Sequence, residues 1–271
     1  MIRFPHCKIN LGLHILEKLP DGYHRIETLF YPVPLTDILE IVPSASGQTT
    51  LTVTGIELPG ESADNICFKA WKLLNQDFNI SEVDIYLHKL IPTGAGLGGG
   101  SSDGAMTLRM LDEMFSLCLS RKQLLSYASR LGMDCPFFLQ EQPAIGSNKG
   151  EILTPHTLEL KGKYLVLVKP DIHVSTADAY SGVKPLQHPY DIANLISRPL
   201  KDWKSILVND FESSVFSRFP RIGEIKDQLY SAGALYASMS GSGSAVFAIF
   251  NEAPKIDEMF GNCFVWKAVM E

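Results

Sequence analysis

The sequence predicts an α+β protein, because strand-like and helix-like segments are mixed without the regular alternation of a doubly wound parallel sheet. With 271 residues, 45% of them apolar, the chain is long enough to bury two cores. A polar segment rich in Gly, Pro and Lys occupies residues 141–163. Such composition is typical of a connection, so we place one boundary near residue 155 and expect domains of residues 1–155 and 156–271.

Four segments are predicted to be helices. Three of them carry apolar residues at the spacing of a buried helix face. These residues are Ile66, Ala70, Leu73 and Leu74 in the first, Ala105, Leu108, Leu111 and Phe115 in the second, and Ile222, Ile225 and Leu229 in the last. The remaining helix is expected at residues 121–131, because Ser120 and Gln123 are spaced as a capping box and Gly132 follows as a stop.

Strands are predicted where β-branched and aromatic residues cluster or alternate with polar ones. Two lie near Ile38 and Val53, and a third runs from Val83 to Ile91. Four more begin at Tyr164, Leu235, Ala245 and Cys263. Residues 228–251 carry no charge and are long enough to raise the question of a membrane span, but they contain five serines. We interpret them as a helix end, a strand, a turn and a second strand.

Charge and cysteine content exclude several classes of function. A formal net charge of −6 argues against a surface for nucleic acid or anionic membrane, which usually requires a basic field. The five cysteines are widely spaced and form no C-x-x-C pair, which favours reduced thiols in a cytoplasmic protein. The N-terminal apolar run is broken by Asn10 and His14, so no signal peptide is expected.

The segment "IPTGAGLGGGSS" places five glycines in the seven positions from Gly94 to Gly100, between a predicted strand and a predicted helix. Its G-x-G-x-x-G spacing matches the dinucleotide fingerprint, but no strand with an acidic tip follows. A P-loop would need Gly-Lys-Ser/Thr, and a protein-kinase loop would need partner motifs that the sequence lacks. What remains is backbone N–H groups converging on an oxyanion at a helix N-terminus, with Ser101 or Ser102 as N-cap, and this suits a polyphosphate. A flexible linker is the alternative.

Two further groups of residues are candidates for chemistry. Lys8 and Asn10 lie two apart on a predicted strand and so share a face, and the turn at Asp21-Gly22 presents Tyr23 and His24. Asp134 follows a helix stop and precedes the apolar "CPFF". A carboxylate in that place is either a local cap or a desolvated acid with a function.

These segments together resemble the GHMP kinases, named for galacto-, homoserine, mevalonate and phosphomevalonate kinases. The similarity rests on "KINLGLHI" at residue 8, "PTGAGLGGGSSDGA" at residue 92 and "SMSGSGSAVFA" at residue 238. The additional "DGYH" and "LGMDCPFF" are similar to the branch that phosphorylates the 2-hydroxyl of a cytidine-diphosphate-linked methylerythritol with ATP, in the non-mevalonate isoprenoid route. Two residues depart from the family pattern: Gly104 stands where alanine is more common, and Tyr180 stands where phenylalanine often faces the cytosine.

The resemblance implies a two-domain fold with the active site in the cleft between the domains, and ATP and Mg²⁺ as cofactors. It implies Lys8 and Asp134 as catalytic residues at the acceptor hydroxyl. The implied nucleotide-binding residues are Asn65, Lys89, Pro92, Gly94, Gly96, Leu97, Gly98, Gly99, Gly100, Ser101 and Ser102. The resemblance places Ser101 or Ser102 near the metal, and of these two we select Ser102. The implied acceptor-binding residues are Asn10, Tyr23, His24, Thr176, Tyr180, Ser240 and Gly241.

Two other readings stay open at this point. One is a GHMP kinase with a different acceptor, for which "DGYH" would have no use. The other is a non-catalytic nucleotide-binding protein of the same fold, which we would expect to have lost Asp134 or Lys8. For the oligomeric state we expect a monomer or a weak homodimer, with a small molecule as the only other partner.

Overall fold

The computed structural model describes residues 1–58, 60–140, 142–256 and 258–270. The chain divides into two compact units, each built from separate segments. Unit 1 contains Met1–Cys7, Leu35–Thr93 and Gly98–Glu141, and unit 2 contains Lys8–Pro34, Gly94–Leu97 and Gln142–Glu271. This division differs from the domains of residues 1–155 and 156–271, which remain a prediction. Residue 141, where the polar segment begins, lies outside the described residues.

Helices and strands are interspersed along the chain, as expected for an α+β protein. In the described residues the strands are β1 (Ile2–Arg3), β2 (His6–Lys18), β3 (His24–Thr36), β4 (Ile38–Pro43), β5 (Thr50–Gly55), β6 (Val83–Lys89), β7 (Ala144–Ser147), β8 (Ile152–Pro155), β9 (Tyr164–Pro170), β10 (Tyr236–Met239), β11 (Val246–Phe250) and β12 (Cys263–Val269). The α-helices are α1 (Ile66–Phe78), α2 (Gly99–Met114), α3 (Arg121–Leu131), α4 (Thr176–Ser181), α5 (Ile192–Ile196), α6 (Trp203–Ile206), α7 (Phe211–Arg218) and α8 (Pro220–Ser231). Short 3-10 helices are formed by Ser62–Asp64, Cys135–Leu139 and Leu200–Asp202.

Unit 1 is a four-stranded sheet with the order β1-β4-β6-β5, against which helices pack. β5 runs parallel to β6, and the other pairs are antiparallel. Val83, Ile85 and Leu87 of β6 are buried as their alternation predicted, and α2 contacts both α1 and β4. The sheet therefore delivers the end of β6 to the segment that leads into the glycine loop and α2.

Local sequence signals fix α3 at both ends. The Ser120 side chain accepts a hydrogen bond from the Gln123 N–H, and the Gln123 side chain accepts one from the Ser120 N–H, which is the predicted capping box. The helix ends with Gly132 as its C-cap, also as predicted. This stop sets the position of Asp134, two residues further along.

Unit 2 contains two four-stranded sheets, one with the order β2-β3-β7-β8 and an antiparallel one with the order β10-β11-β9-β12. Helix α8 packs on β9, β10 and β11 through Ile222, Ile225 and Leu229, the three residues predicted for its buried face. Residues 228–251 form a helix end, a strand, a turn and a strand, which confirms the interpretation of the charge-free stretch. None of the helices in the described part of the chain combines the length and the apolarity that crossing a bilayer requires.

Candidate active site

The predicted site residues fall in both units, and each group is described within its own unit. In unit 2, Lys8 and Asn10 lie on the same face of β2, as their spacing predicted. Lys8 is 3% exposed, and its ammonium donates to the Asn10 side-chain oxygen at 2.6 Å and to the Gly96 carbonyl at 2.9 Å. A buried ammonium is costly unless it is hydrogen-bonded. Both contacts supply that compensation and fix where the charge lies.

The orientation of the Asn10 amide follows from its neighbours. Its nitrogen donates to the Thr28 hydroxyl at 3.0 Å, and that hydroxyl donates to the Gly12 carbonyl at 2.5 Å. The Asn10 oxygen therefore faces Lys8. The Asn10 backbone N–H donates to the Ser240 hydroxyl at 3.3 Å, so the turn after β10 is joined to β2.

In the first part of the glycine loop, Gly94–Leu97, three carbonyl oxygens accept hydrogen bonds from other residues of unit 2. The Ala95 oxygen accepts from the Ala245 N–H at 3.1 Å, the Gly96 oxygen accepts from the Ser240 hydroxyl at 2.8 Å as well as from Lys8, and the Leu97 oxygen accepts from the Lys8 N–H at 2.9 Å. The N–H groups of residues 94–97 make no hydrogen bond with any described residue. The segment is thus held by its oxygens, which leaves its donors available to a ligand.

Gly96 is required at its position by geometry. Its φ is +73°, and a Cβ built on it would overlap the backbone oxygen of Ser240. Any other residue would meet both the left-handed backbone penalty and a collision with main chain.

Unit 1 holds the second part of the loop. Gly98, in the left-handed conformation with φ 70°, is the N-cap of α2, and its carbonyl accepts from the Ser102 N–H at 2.9 Å. The prediction that Ser101 or Ser102 is the N-cap was wrong. The N-cap lies three to four residues earlier, because Gly99 and Gly100 themselves adopt helical geometry. A helix N-terminus carries roughly half a positive charge, so the positive end of this 16-residue helix lies at the glycines.

Lys89 lies beneath the start of α2, buried between two carboxylates. Its ammonium is 1% exposed and pairs with Asp37 and, at 2.7 Å, with Asp103. The other Asp37 oxygen accepts from the N–H groups of Leu90 and Ile91 at 2.6 and 2.8 Å. Asp37 therefore fixes the backbone that enters the glycine loop. The Lys89 amine is engaged here, and its predicted place around the nucleotide stays a prediction.

The second carboxylate of this cluster has an unusual environment. Burial raises the pKa of Asp103 to about 8, although the adjacent Lys89 opposes the shift. One Asp103 oxygen is buried and has no hydrogen-bond partner among the described residues. Desolvation without full hydrogen bonding is what disfavours the charged form.

Asp134 immediately precedes the 3-10 helix Cys135–Leu139, as its N-cap, and makes no capping bond with its side chain. This 3-10 helix packs on α2, and the Ser101 side chain opposes the rise in pKa that burial imposes on the Cys135 thiol. Burial raises the pKa of Cys135 to about 12, so the thiol stays protonated at neutral pH. Within unit 1, the candidate base and the first turn of α2 are thus neighbours.

Unit 1 also contains a cavity of about 510 Å³ beside Asn65. Apolar side chains from β5 and the following segment line it, among them Leu51, Val53, Ile56 and Leu58. Asn65 caps α1 by accepting from the Cys67 N–H at 2.9 Å. The rest of the lining is polar or glycine, and it includes Glu57, Glu61 and Asp64. The cavity has the volume of a small-molecule site, with a lining that is as polar as it is apolar.

The aromatic candidates of unit 2 fall into two groups. Tyr180 stacks on His24 with ring centroids 4.5 Å apart and planes 16° apart. Tyr23 is 51% exposed and lies under Lys149, whose ammonium is 4.5 Å from the ring centroid and 2.6 Å from Asp21. Tyr180 is therefore stacked on His24, whereas Tyr23 lies with Lys149, and the place of these residues at the acceptor stays a prediction.

Comparison with known proteins identifies the family. The model of the GHMP kinase N-terminal domain matches residues 65–142, and that of the GHMP kinase C-terminal domain matches residues 192–262. The 4-diphosphocytidyl-2-C-methyl-D-erythritol kinase of Bacteroides fragilis is 51% identical over 96% of this chain and 95% of its own. The chain belongs to the GHMP kinases. Within that family it belongs to the group of 4-diphosphocytidyl-2-C-methyl-D-erythritol kinases. The kinase of the same name from Porphyromonas gingivalis is 43% identical to this chain, over the full length of both.

Solved structures agree. A crystal structure of 4-(cytidine 5'-diphospho)-2C-methyl-D-erythritol kinase matches this kinase with a TM-score of 0.83 and 29% identity, covering both chains completely. Mevalonate kinase of Methanococcus jannaschii matches with a TM-score of 0.76 at 15% identity, covering 100% of this chain and 98% of that one. The second match shows only the fold. The predicted two-domain GHMP-kinase fold is thereby confirmed.

Some of the predicted site residues lie together within their unit, and two further residues of the site were not predicted. Ser240 and Gly241 form the turn that contacts Gly96, Thr176 begins α4, and Pro92 is buried just after the Asp37-bound amides. Sequence reasoning missed Asp37 and Asp103. A lone aspartate at a strand start was a usable signal for Asp37, whereas the partner of Asp103 is distant in sequence.

Proposed function

We propose that this kinase transfers the γ-phosphoryl group of ATP to the 2-hydroxyl of 4-diphosphocytidyl-2-C-methyl-D-erythritol, giving the 2-phosphate and ADP in the non-mevalonate isoprenoid route. The names of its relatives support the acceptor. The observation that carries the phosphoryl-transfer chemistry is the glycine loop, whose carbonyls are bound by the protein while its N–H groups make no hydrogen bond with the described residues.

The loop is suited to a triphosphate in a protein that would otherwise repel it. With a net charge of −6, the protein offers no general field to attract a polyanion. Convergent N–H groups and the positive end of α2 supply local attraction instead. We propose that the loop N–H groups of residues 94–101 bind the phosphates, and that the cavity beside Asn65 accepts the adenine.

Magnesium fits the residues present as an ion carried by the nucleotide. The described residues contain no cluster of three or more His, Cys, Asp or Glu side chains that could hold a metal. Kinase magnesium is commonly held by one or two protein oxygens together with phosphates. The hydroxyl of Ser102, with that of Ser101 as the alternative, would supply the protein oxygen. Bound there, the ion would neutralise charge on the transferring phosphates.

We propose Asp134 as the general base of the reaction. Its carboxylate takes the proton of the acceptor 2-hydroxyl as that oxygen forms a bond to the γ-phosphorus. The bond from the γ-phosphorus to the bridging oxygen breaks, and ADP leaves with the electron pair. Lys8, held by Asn10 and Gly96, stabilises the negative charge on the attacking oxygen. Phosphoryl transfer depends mainly on such positioning and charge stabilisation.

For the acceptor base, we propose that Tyr180 stacks on the cytosine and that His24 and Tyr23 complete the site. Stacking is worth about 1–3 kcal/mol per base but does not distinguish bases. Discrimination then depends on hydrogen bonds to the cytosine edge. Uracil exchanges the donor at position 4 for an acceptor, so it would leave buried partners unpaired at a cost of about 1–3 kcal/mol each.

The decisive experiment measures ADP release with a panel of acceptors: the cytidylated methylerythritol, its uridine analogue, mevalonate, homoserine and galactose. We expect turnover with the first, and a kcat/KM at least about tenfold lower with the uridine analogue. Two unpaired partners cost at least about 2 kcal/mol, which exceeds the ~1.4 kcal/mol that corresponds to a factor of ten. Preferred turnover of mevalonate, homoserine or galactose would refute the proposed acceptor. Equal kcat/KM for the cytidine and uridine compounds would refute the proposed reading of the base.

A further inference from the structure

Four consecutive residues of unit 2, Asn209–Glu212, contact the turn at Ser240, strand β2 and the ring of Tyr180. They lead into α7, and the sequence there reads N-D-F-E. Neither the motifs of the loop nor the acceptor residues include them. We propose that this tetrad positions the acceptor-binding elements of the kinase; the inference rests on the function proposed above.

Asn209 clamps the turn that contains Ser240. Its side chain is 3% exposed, and its nitrogen donates to the carbonyls of Met239 and Gly241, both at 2.8 Å. Its oxygen accepts from the Phe211 N–H at 3.0 Å. Both amide hydrogens and the oxygen are therefore used. Because the two carbonyls flank Ser240, the amide sets the path of the backbone on either side of that residue.

Glu212 secures the same turn from the other type of backbone group. One of its oxygens accepts from the Met239 N–H at 2.8 Å and from the Ser238 hydroxyl at 2.9 Å. The other accepts from Lys226 at 2.5 Å, which balances the charge. The turn is thus fixed through its carbonyls by Asn209 and through its N–H by Glu212.

Asp210 acts on β2, the strand that carries Lys8 and Asn10. Its carboxylate accepts from the Ile15 N–H at 2.7 Å and is 2.9 Å from the His188 ring nitrogen. Its backbone N–H donates to the Leu13 carbonyl at 2.9 Å. The strand is therefore anchored shortly after its functional residues.

Phe211 supports the ring of Tyr180. It is buried, and its ring meets that of Tyr180 edge-on, with centroids 4.8 Å apart and planes 85° apart. Edge-to-face contacts of this kind prefer one geometry. The tetrad therefore contacts the strand of Lys8, the Ser240 turn and the stacking ring at once, which a residue serving only the core would not do.

The first test is Asn209→Asp, which keeps the oxygen that Phe211 needs but removes both donors. The new carboxylate would face two carbonyl oxygens, so the turn should shift. We expect kcat/KM for the cytidylated acceptor to fall at least tenfold under conditions in which circular dichroism shows a folded protein. The matched control is Asn194→Asp, the same change at an exposed residue of α5, which should leave kcat/KM within twofold. Equal kinetics for the two variants would overturn the proposal.

The second test separates positioning from stability and serves if Asn209→Asp does not fold. Phe211→Leu removes the edge contact with Tyr180, whereas Phe216→Leu makes the same change five residues further along the same helix. We expect the acceptor KM to rise at least tenfold for Phe211→Leu alone, with kcat and the KM for ATP within twofold. A rise in both variants, or in neither, would overturn the role assigned to Phe211.

A third measurement does not depend on activity. In Asn209→Asp, amide hydrogen exchange at residues 238–241 should be at least tenfold faster than in Asn194→Asp. If the wild-type protein failed to phosphorylate the cytidylated acceptor, the proposed function would fall, while faster exchange would still support the clamp. Unchanged exchange would overturn the clamp even in an active enzyme.

Discussion

Replacing Gly96 by alanine tests the glycine loop where the structure constrains it most. Gly96 has φ +73°, and a Cβ there would overlap the Ser240 backbone oxygen. A left-handed conformation costs an alanine about 1–2 kcal/mol. Forcing an extra methyl group into a packed site costs a further ~1–3 kcal/mol. Gly96→Ala should therefore lower the free energy of unfolding by about 2–5 kcal/mol.

A matched glycine separates the two contributions. Gly47 has φ +71°, almost the same backbone, but nothing lies within 4 Å of a Cβ built there. Gly47→Ala should therefore cost only the conformational part, about 1–2 kcal/mol. The difference between the variants, measured by urea denaturation, isolates the overlap with Ser240.

The same pair tests the function of the loop. Relief of the overlap must move main chain, either at Ser240 or in the segment whose N–H groups we assign to the phosphates. Calorimetry with a non-hydrolysable ATP analogue should show at least tenfold weaker binding to Gly96→Ala and unchanged binding to Gly47→Ala. If both variants lost the same stability and bound the analogue like the wild type, the argument from close approach and the phosphate cradle would both be refuted.

Three further results are expected. Asp134→Asn should lower kcat by about 10²–10⁴-fold while the ATP analogue still binds, and retention of more than about a tenth of turnover would exclude Asp134 as the base. Burial raises the pKa of Asp103 to about 8, so between pH 4 and 8 the folded protein keeps a proton that the unfolded chain has released. The free energy of unfolding should therefore fall as the pH rises through this interval. Asp103→Asn should flatten that slope, and an unchanged slope in urea titrations would contradict the assignment. In α2, a Cβ on Gly104 would lie 2.7 Å from the Ile66 Cγ1, whereas one on Gly100 meets nothing within 4 Å. Gly104→Ala should therefore destabilise the protein by about 1–3 kcal/mol, and Gly100→Ala should be neutral or stabilising by up to about 1 kcal/mol. Equal gains in stability at both positions would refute the packing argument.

Elements with local signals were predictable from sequence. The capping box that starts α3, the alternation of β6 and the buried face of α8 each depend on residues within a few positions of one another, and all three were confirmed. The predicted start of α2 was wrong because it, too, depended on a local signal. Serine is the preferred N-cap, and nothing local reveals that glycines in a loop continue into the helix.

Features built from distant residues were not predictable. Lys89 is paired with Asp37 and Asp103, which are 52 and 14 residues away along the chain, so no local pattern reveals this cluster. The place of Lys89 around the nucleotide came from the family resemblance and stays a prediction. The Asn209 clamp joins residues about 30 positions apart. Its only local signal was a polar pair before an apolar helix start, which is also typical of an ordinary cap.

The interleaving of the two units has a consequence for synthesis. The strand bearing Lys8 emerges from the ribosome before most of unit 1, yet the unit to which it belongs includes Gln142–Glu271, which is made after unit 1. Such a unit cannot complete its core during translation, and its early segment must wait for more than a hundred further residues. Separate expression of residues 1–155 and 156–271 would accordingly split unit 2 and yield a soluble first fragment only if the two pieces recombined.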